Sequence, residues 1–235
     1  MVEDFKTRFE QIIGRPVIPV RIEAQDFFHF KTLYSDTRNM IDDEKLLEYY
    51  ISYRWLEFTA TDTYIDVAAQ DCPFAFFIRD QFSCRVYRQD LYYLEKGIHG
   101  EDIGGDASKI PLPRNSVSKI SLHNSLEHFE GNSDIKFFRE AQRLLHPGGK
   151  LLVMPLFIGD EYMIETDAGW VDEEGVKHLW CEGARFARIY DLPQFKSRIL
   201  KNSKKLKLQI YHLQNAYEID PNCYAEYFAV FEKLK

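Results

Sequence analysis

The residues best placed to do chemistry in this chain sit toward the ends of short apolar runs or just past them. Asp66 lies inside the run Tyr64-Ile65-Asp66-Val67-Ala68, toward the end of the strand it predicts, and Asp90 follows Cys84-Arg85-Val86-Tyr87-Arg88. The two acids are separated by close to the roughly 20 residues seen in nucleotide-binding fingerprints. Glu127-His128 follows a third run, Ser118 to His123. Histidine titrates near neutral pH, so His128 can take a proton from a hydroxyl acceptor, with Glu127 beside it. The alternative role for His128 is to cap or pack its loop. His123, inside the run, reads as a core or rim histidine.

The remaining chemistry-bearing residues exclude several classes. Cys72, Cys84, Cys181 and Cys223 are scattered, with no C-x-x-C pair. That argues against a zinc site and for reduced thiols in the cytoplasm. Lys and Arg total 30 against 37 Asp and Glu, for a net charge of −7. An acidic chain is a poor non-specific nucleic-acid binder, and we expect no nucleic-acid partner. The densest basic run, Lys201, Lys204, Lys205 and Lys207, reads as a solvated helix end and turn. No apolar run approaches the roughly 20 residues that cross a bilayer, and no leader pattern opens the chain, so no membrane partner is expected.

Elements that alternate must position these residues. The 235 residues are 45 % apolar and 29 % charged, as in an ordinary globular chain. Residues 1–60 read as a helical extension, with helices predicted over 1–13 and 42–58. From residue 61 strands are predicted at 64–68, 84–88, 118–123 and 150–155, and helices at 73–82 and 134–145. His146-Pro147-Gly148-Gly149 supplies the stop after the last helix. Strands alternating with helices imply βαβ units and a parallel sheet. A helix at 192–200 and strands at 206–213 and 224–231 follow, and the last two form an antiparallel hairpin. Residues 157–188 fit no regular element and read as an inserted lid or acceptor segment. Its Tyr162, Trp170, His178, Trp180, Arg185 and Arg188 suit the lining of an acceptor pocket for sugars or planar small molecules, or the pinning of the insertion to the domain.

Three segments carry a resemblance. They are Gly105-Asp106-Ala107-Ser108-Lys109-Ile110-Pro111-Leu112-Pro113, then Leu126-Glu127-His128, then Arg139-Glu140-Ala141-Gln142-Arg143-Leu144-Leu145-His146-Pro147-Gly148-Gly149-Lys150-Leu151. In order and spacing the chain resembles the class I S-adenosylmethionine-dependent methyltransferases, in particular the type 11 group, over about residues 60–156. The resemblance implies a Rossmann-like three-layer α/β sandwich with a seven-stranded, mostly parallel sheet. It implies S-adenosylmethionine as cofactor and methyl transfer to an oxygen or nitrogen of a small molecule or glycan. It places Asp66 near the methionine end of the cofactor and Asp90 on the ribose diol, to which a carboxylate presents two acceptor oxygens. It also places Asp106 on the adenine amino group and the Ala107 N–H on the ring. It counts Asn124 among the cofactor-binding positions, and because this residue stands where some relatives carry a metal-binding acid, no metal is expected.

The glycine loop departs from this pattern. Relatives carry acid-x-Gly-x-Gly-x-Gly after the first strand. Here the run is Asp66-Val67-Ala68-Ala69-Gln70-Asp71-Cys72, and no glycine occurs between Gly14 and Gly97. Ala68 and Gln70 therefore occupy cofactor-lining positions that ordinarily allow close backbone approach. If the loop keeps its usual path, Gln70 either fills cofactor space or points away at some strain. This substitution keeps open a second reading, a methyltransferase-like binding or assembly module without catalysis.

Overall fold

The structure is a computed structural model that describes residues 5–35, 43–166, 177–180, 186–219, 221, 223 and 226–235. Twelve strands are present among these residues: β1 (Ile18–Val20), β2 (Thr63–Val67), β3 (Arg85–Asp90), β4 (Gly97–His99), β5 (Asp102–Gly104), β6 (Val117–His123), β7 (Leu145–Met154), β8 (Met163–Thr166), β9 (Lys177–Trp180), β10 (Ala187–Ile189), β11 (Leu206–Leu213) and β12 (Tyr227–Lys233). Nine of them form one sheet in the order β1-β11-β12-β7-β6-β2-β3-β5-β4. Only β12 and β4 run against the others. The sheet is thus mostly parallel, and the C-terminal pair supplies an antiparallel member.

A seven-stranded sheet is expected and nine strands are present. Strands β1, β4 and β5 match none of the ranges predicted; each is three residues long, too short to show an alternating pattern. Strand β7 also starts earlier than predicted. Leu145 already pairs with Val117, and the register shifts before Lys119 meets Lys150. Gly148, at φ 82°, takes the left-handed turn inside this irregular stretch.

Helices cover both faces. On one side lie α1 (Phe5–Ile13), α5 (Ser133–Leu144) and a helical run built from Leu192–Gln194, Phe195–Ile199 and Leu200–Asn202. Their Phe9, Phe137, Phe138, Phe195 and Ile199 pack on Ile65, Ile120 and Leu151 of the sheet. On the other side lie α2 (Ala24–Ser35), α3 (Asp43–Trp55) and α4 (Phe74–Phe82). Here Phe30, Tyr34, Leu46, Ile51 and Phe77 pack on Tyr64, Val86, Leu152 and Phe228. Each of these rings removes roughly 150–250 Å² from water, so the aromatic content forms the bulk of this layer.

The stretch read as irregular contains a small sheet of its own, ordered β10-β8-β9. Strands β8 and β9 are parallel, and β8 and β10 are antiparallel. A buried ionic cluster ties it to α5. Arg188 of β10 and Asp134 of α5 are both fully buried, 3.3 Å apart. Arg188 donates to the carbonyls of Phe129 and Gly131 and to the Tyr162 hydroxyl. Asp134 also accepts from Tyr190 and, through both oxygens, from Arg198. Arg188 and Tyr162, expected as candidates for an acceptor pocket, therefore pin the insertion. Trp170 and Arg185 lie outside the described residues, as do the side chains of His178 and Trp180.

Candidate functional site

Strands β5, β3, β2 and β6 are neighbours, and their carboxyl ends carry the predicted site residues. Asp106 and Ala107 follow β5, Asp90 ends β3, Asp66 lies one residue before the end of β2, and Asn124 follows β6. In open α/β sheets, ligands bind at this edge. Glu127 and His128 lie just beyond, in a 3-10 turn over Leu126–His128.

The loop after β2 places two side-chain-bearing residues in the left-handed region that favours glycine. Ala68 has φ 55° and Gln70 φ 47°. These left-handed values cost a side-chain-bearing residue about 1–2 kcal/mol each. The surroundings hold them. The Gln70 N–H donates to Asp90 Oδ2 at 2.7 Å, the Ala69 N–H donates to the Gln89 carbonyl at 3.0 Å, and the Tyr93 hydroxyl donates to the Gln70 carbonyl. The Gln70 residue itself is exposed.

Asp90 is 3 % exposed and binds this loop directly. Its other oxygen, Oδ1, accepts from the Tyr92 N–H at 2.8 Å. Each carboxylate oxygen retains a further lone pair. Asp106 is exposed and accepts from the Ser108 N–H at 2.8 Å, and Ala107 is buried beside it. Asn124 adopts φ 50°, and its N–H donates to the Met154 carbonyl. Asparagine tolerates this conformation better than most residues.

Asp66 faces elsewhere, contrary to the expected contact with a cofactor's methionine end. It is 1 % exposed and turned into the α3–α4 layer. Its Oδ1 accepts from Ser121 Oγ and from His123 Nδ1, both at 3.0 Å. Its Oδ2 accepts the Cys72 thiol at 3.7 Å. The physical reason lies in these partners: Ser121 and His123 of β6 bind the carboxylate from one side, and the Cys72 thiol, at the third glycine position, adds a contact a glycine would lack. Tyr49 bonds that sulfur from α3. Burial, and then the charge of Asp66, push the Cys72 thiol up to about 12, so it remains protonated.

His123 is neutral in this setting, because burial lowers its pKa despite the Asp66 charge. Its Nδ1–H then donates to Asp66, and its Nε2 accepts the Ser52 hydroxyl at 2.7 Å. Ser52, His123 and Asp66 thus make the contacts of an acyl-transfer triad. Ser52 is fully buried in the middle of α3, so no acyl donor reaches it, and the network is structural.

His128 is oriented by the insertion. Its Nδ1 lies 2.7 Å from the Phe186 carbonyl, just before β10. That contact requires a proton on Nδ1, leaving Nε2, 3.5 Å from Glu127 Oε1, as the nitrogen that exchanges a proton. Glu127 is buried and His128 is 31 % exposed on its side chain. Sequence reasoning missed Tyr93, Gln89, Ser52 and Tyr49. Tyr93, three residues past Asp90, had the only local signal.

Among the described residues, no group of His, Cys, Asp and Glu side chains could hold a metal, and no helix is long and apolar enough to cross a membrane. A family model described as "Methyltransferase domain" matches residues 79–153. No curated protein sequence matches the chain. Similar solved structures include Burkholderia thailandensis 1,6-didemethyltoxoflavin-N1-methyltransferase with bound 1,6-didemethyltoxoflavin and S-adenosylhomocysteine. It is 13 % identical with TM-score 0.54, covering 100 % of this chain and 93 % of that one. The PH0226 protein of Pyrococcus horikoshii is 16 % identical with TM-score 0.52, covering 80 % and 87 %. An S-adenosylmethionine dependent methyltransferase of Mesorhizobium loti is 12 % identical with TM-score 0.50, covering 79 % and 97 %.

Proposed function

We infer that this chain, which has the class I methyltransferase fold and matches a methyltransferase domain over residues 79–153, transfers methyl groups from S-adenosylmethionine. One observation carries the reading. The loop from Ala68 to Cys72 keeps left-handed backbone at the first two glycine positions, beside Asp90. A chain with no use for this path would be expected to relax it, because it costs about 1–2 kcal/mol per residue.

The residues present fit the adenosine half of the cofactor. Asp90 would hold the ribose diol through its remaining lone pairs. Exposed Asp106 would accept from the adenine amino group, and the Ala107 N–H would donate to the ring. When bound, S-adenosylmethionine supplies an activated methyl on a sulfonium sulfur. The protein's part is to align an acceptor with it and exclude water. His128 Nε2 takes the proton of a hydroxyl or amine acceptor, and buried Glu127 stabilises the imidazolium that results. The acceptor is a small molecule or a glycan. The small-molecule ligand in the Burkholderia relative supports the first class.

Titration calorimetry with S-adenosylmethionine and S-adenosylhomocysteine tests the reading. One-to-one binding is expected in the wild type. Gln70→Gly should bind more tightly and stabilise the fold by about 1 kcal/mol or less. Relief of left-handed strain outweighs the added freedom of the unfolded chain. A second reading, a binding or assembly module without catalysis, draws on the internal engagement of Asp66, Asp90 and Cys72. It takes over if neither form binds at millimolar ligand.

With an acceptor in hand, His128→Ala should lower kcat on the order of 10²-fold and leave cofactor affinity within about twofold. An unchanged kcat would remove His128 from the chemistry.

A further inference from the structure

The outer face of α5, turned away from the sheet, carries a second feature unrelated to methyl transfer. A cleft of about 480 Å³ opens between the 105–116 loop, the outer face of α5 and the turn before β11. Six cations from these three elements line it: Arg143, which pairs with Glu140, and Lys109, Arg114, Lys136, Arg139 and Lys205. The last five are exposed. Among the described residues, none of these five has a carboxylate within salt-bridge distance. The one carboxylate in the wall, Glu140, is buried and already bonded to Arg143 and to the Ile110 N–H. In a chain of net charge −7, this is a concentration of positive charge against the average.

The walls are braced. Arg143 binds both oxygens of Glu140 and the carbonyls of Ile110 and Leu112, fastening the loop to α5. Arg139 donates twice to Asn202 Oδ1, and the Lys205 N–H donates to Gln142 Oε1. Lys233, at the rim, feels the local field. Burial lowers its pKa first, and the charges of Arg114 and Lys205 lower it further. No aromatic ring lines the cleft, so it offers no platform for stacking a base. A concave, rigid cluster of Lys and Arg suits clustered phosphates, because Arg presents paired donors and Lys a compact charge.

We propose that this cleft binds a small anion carrying two or more phosphate groups, at a site separate from the one at the carboxyl edge of the sheet. The site stands or falls independently of methyl transfer.

The test is titration calorimetry of the full chain with inorganic triphosphate, repeated with orthophosphate at matched ionic strength. Saturable one-to-one binding of triphosphate, much tighter than orthophosphate, is expected. It should weaken as salt rises. The double variant Arg114→Ala/Lys136→Ala changes two exposed side chains and should retain the wild-type circular dichroism spectrum and S-adenosylmethionine affinity. It should lose triphosphate affinity by about tenfold or more, the scale of losing one or two charge-assisted hydrogen bonds. Absence of saturable binding, or equal affinity in the variant, overturns the proposal. So does tighter binding of single-stranded RNA through the same two residues, which would make the cleft part of a nucleic-acid surface.

Discussion

Asp134→Ala should destabilise the fold by about 3–5 kcal/mol, the scale of stranding a buried charge without its partner. Asp134 is fully buried, and so is Arg188, whose guanidinium it faces at 3.3 Å. Arg198 binds the same carboxylate through two nitrogens at 2.8 Å, and Tyr190 completes the set. Removal of the carboxylate leaves a buried cation without its counter-charge and a buried hydroxyl without its acceptor. Urea denaturation followed by circular dichroism measures the loss. A cost below about 1 kcal/mol would show that the cluster does not hold the insertion on α5. The double variant Asp134→Leu/Arg188→Met should be less damaged than Asp134→Ala. Removing both partners avoids the uncompensated charge, which dominates the penalty.

Asp90→Ala should cost about 3 kcal/mol of stability and also release the loop between β2 and α4. Both carboxylate oxygens accept backbone N–H groups, from Gln70 and Tyr92. The carboxylate is almost fully buried, and each donor left without a partner costs about 1–3 kcal/mol. The left-handed conformation of Gln70 depends on that bond, so the loop should relax once it is lost. Hydrogen exchange at the Gln70 and Tyr92 amides reports this directly, and both should exchange faster in the variant. Asp90→Asn keeps one acceptor oxygen and should show an intermediate loss. If the Ala variant matches the wild type in both stability and exchange, the loop is held by other contacts.

The carboxyl edge was legible in part because an acid follows a short apolar run, and the strand-helix alternation fixes which end of the strand it occupies. Asp106 and Asn124 were placed by the family resemblance, since β5 before Asp106 is only three residues long; the position of Asp90 follows from the pattern. The orientation of Asp66 does not. Its partners Ser121 and His123 lie 55 and 57 residues away, and Ser52 lies 71 residues from His123. Which of two faces a buried carboxylate turns to depends on those distant partners, and single-sequence periodicity does not report them. The glycine loop shows the converse. Gln70 was legible as a conflict, but its resolution depended on Asp90 and Tyr93, which hold the backbone from outside. In the insertion, Arg188 reads as a polar lining residue until Asp134 and Arg198 are seen around it. Its strands β8, β9 and β10 are at most four residues long, too short for an alternating signal.

The two short border strands have a consequence for how copies of this chain meet. A sheet edge is a row of unpaired donors and acceptors that can template another chain. Strand β1 closes one border beside the eight-residue β11, offering only three residues of its own, with Pro19 at the centre contributing no N–H. The opposite border ends in β4, also three residues long, with Glu95 and His99 paired across it. Neither outermost strand presents a long, flat ladder, and β1 covers the Tyr211–Leu213 end of β11. These outermost strands are therefore poor templates for edge-to-edge growth into aggregates.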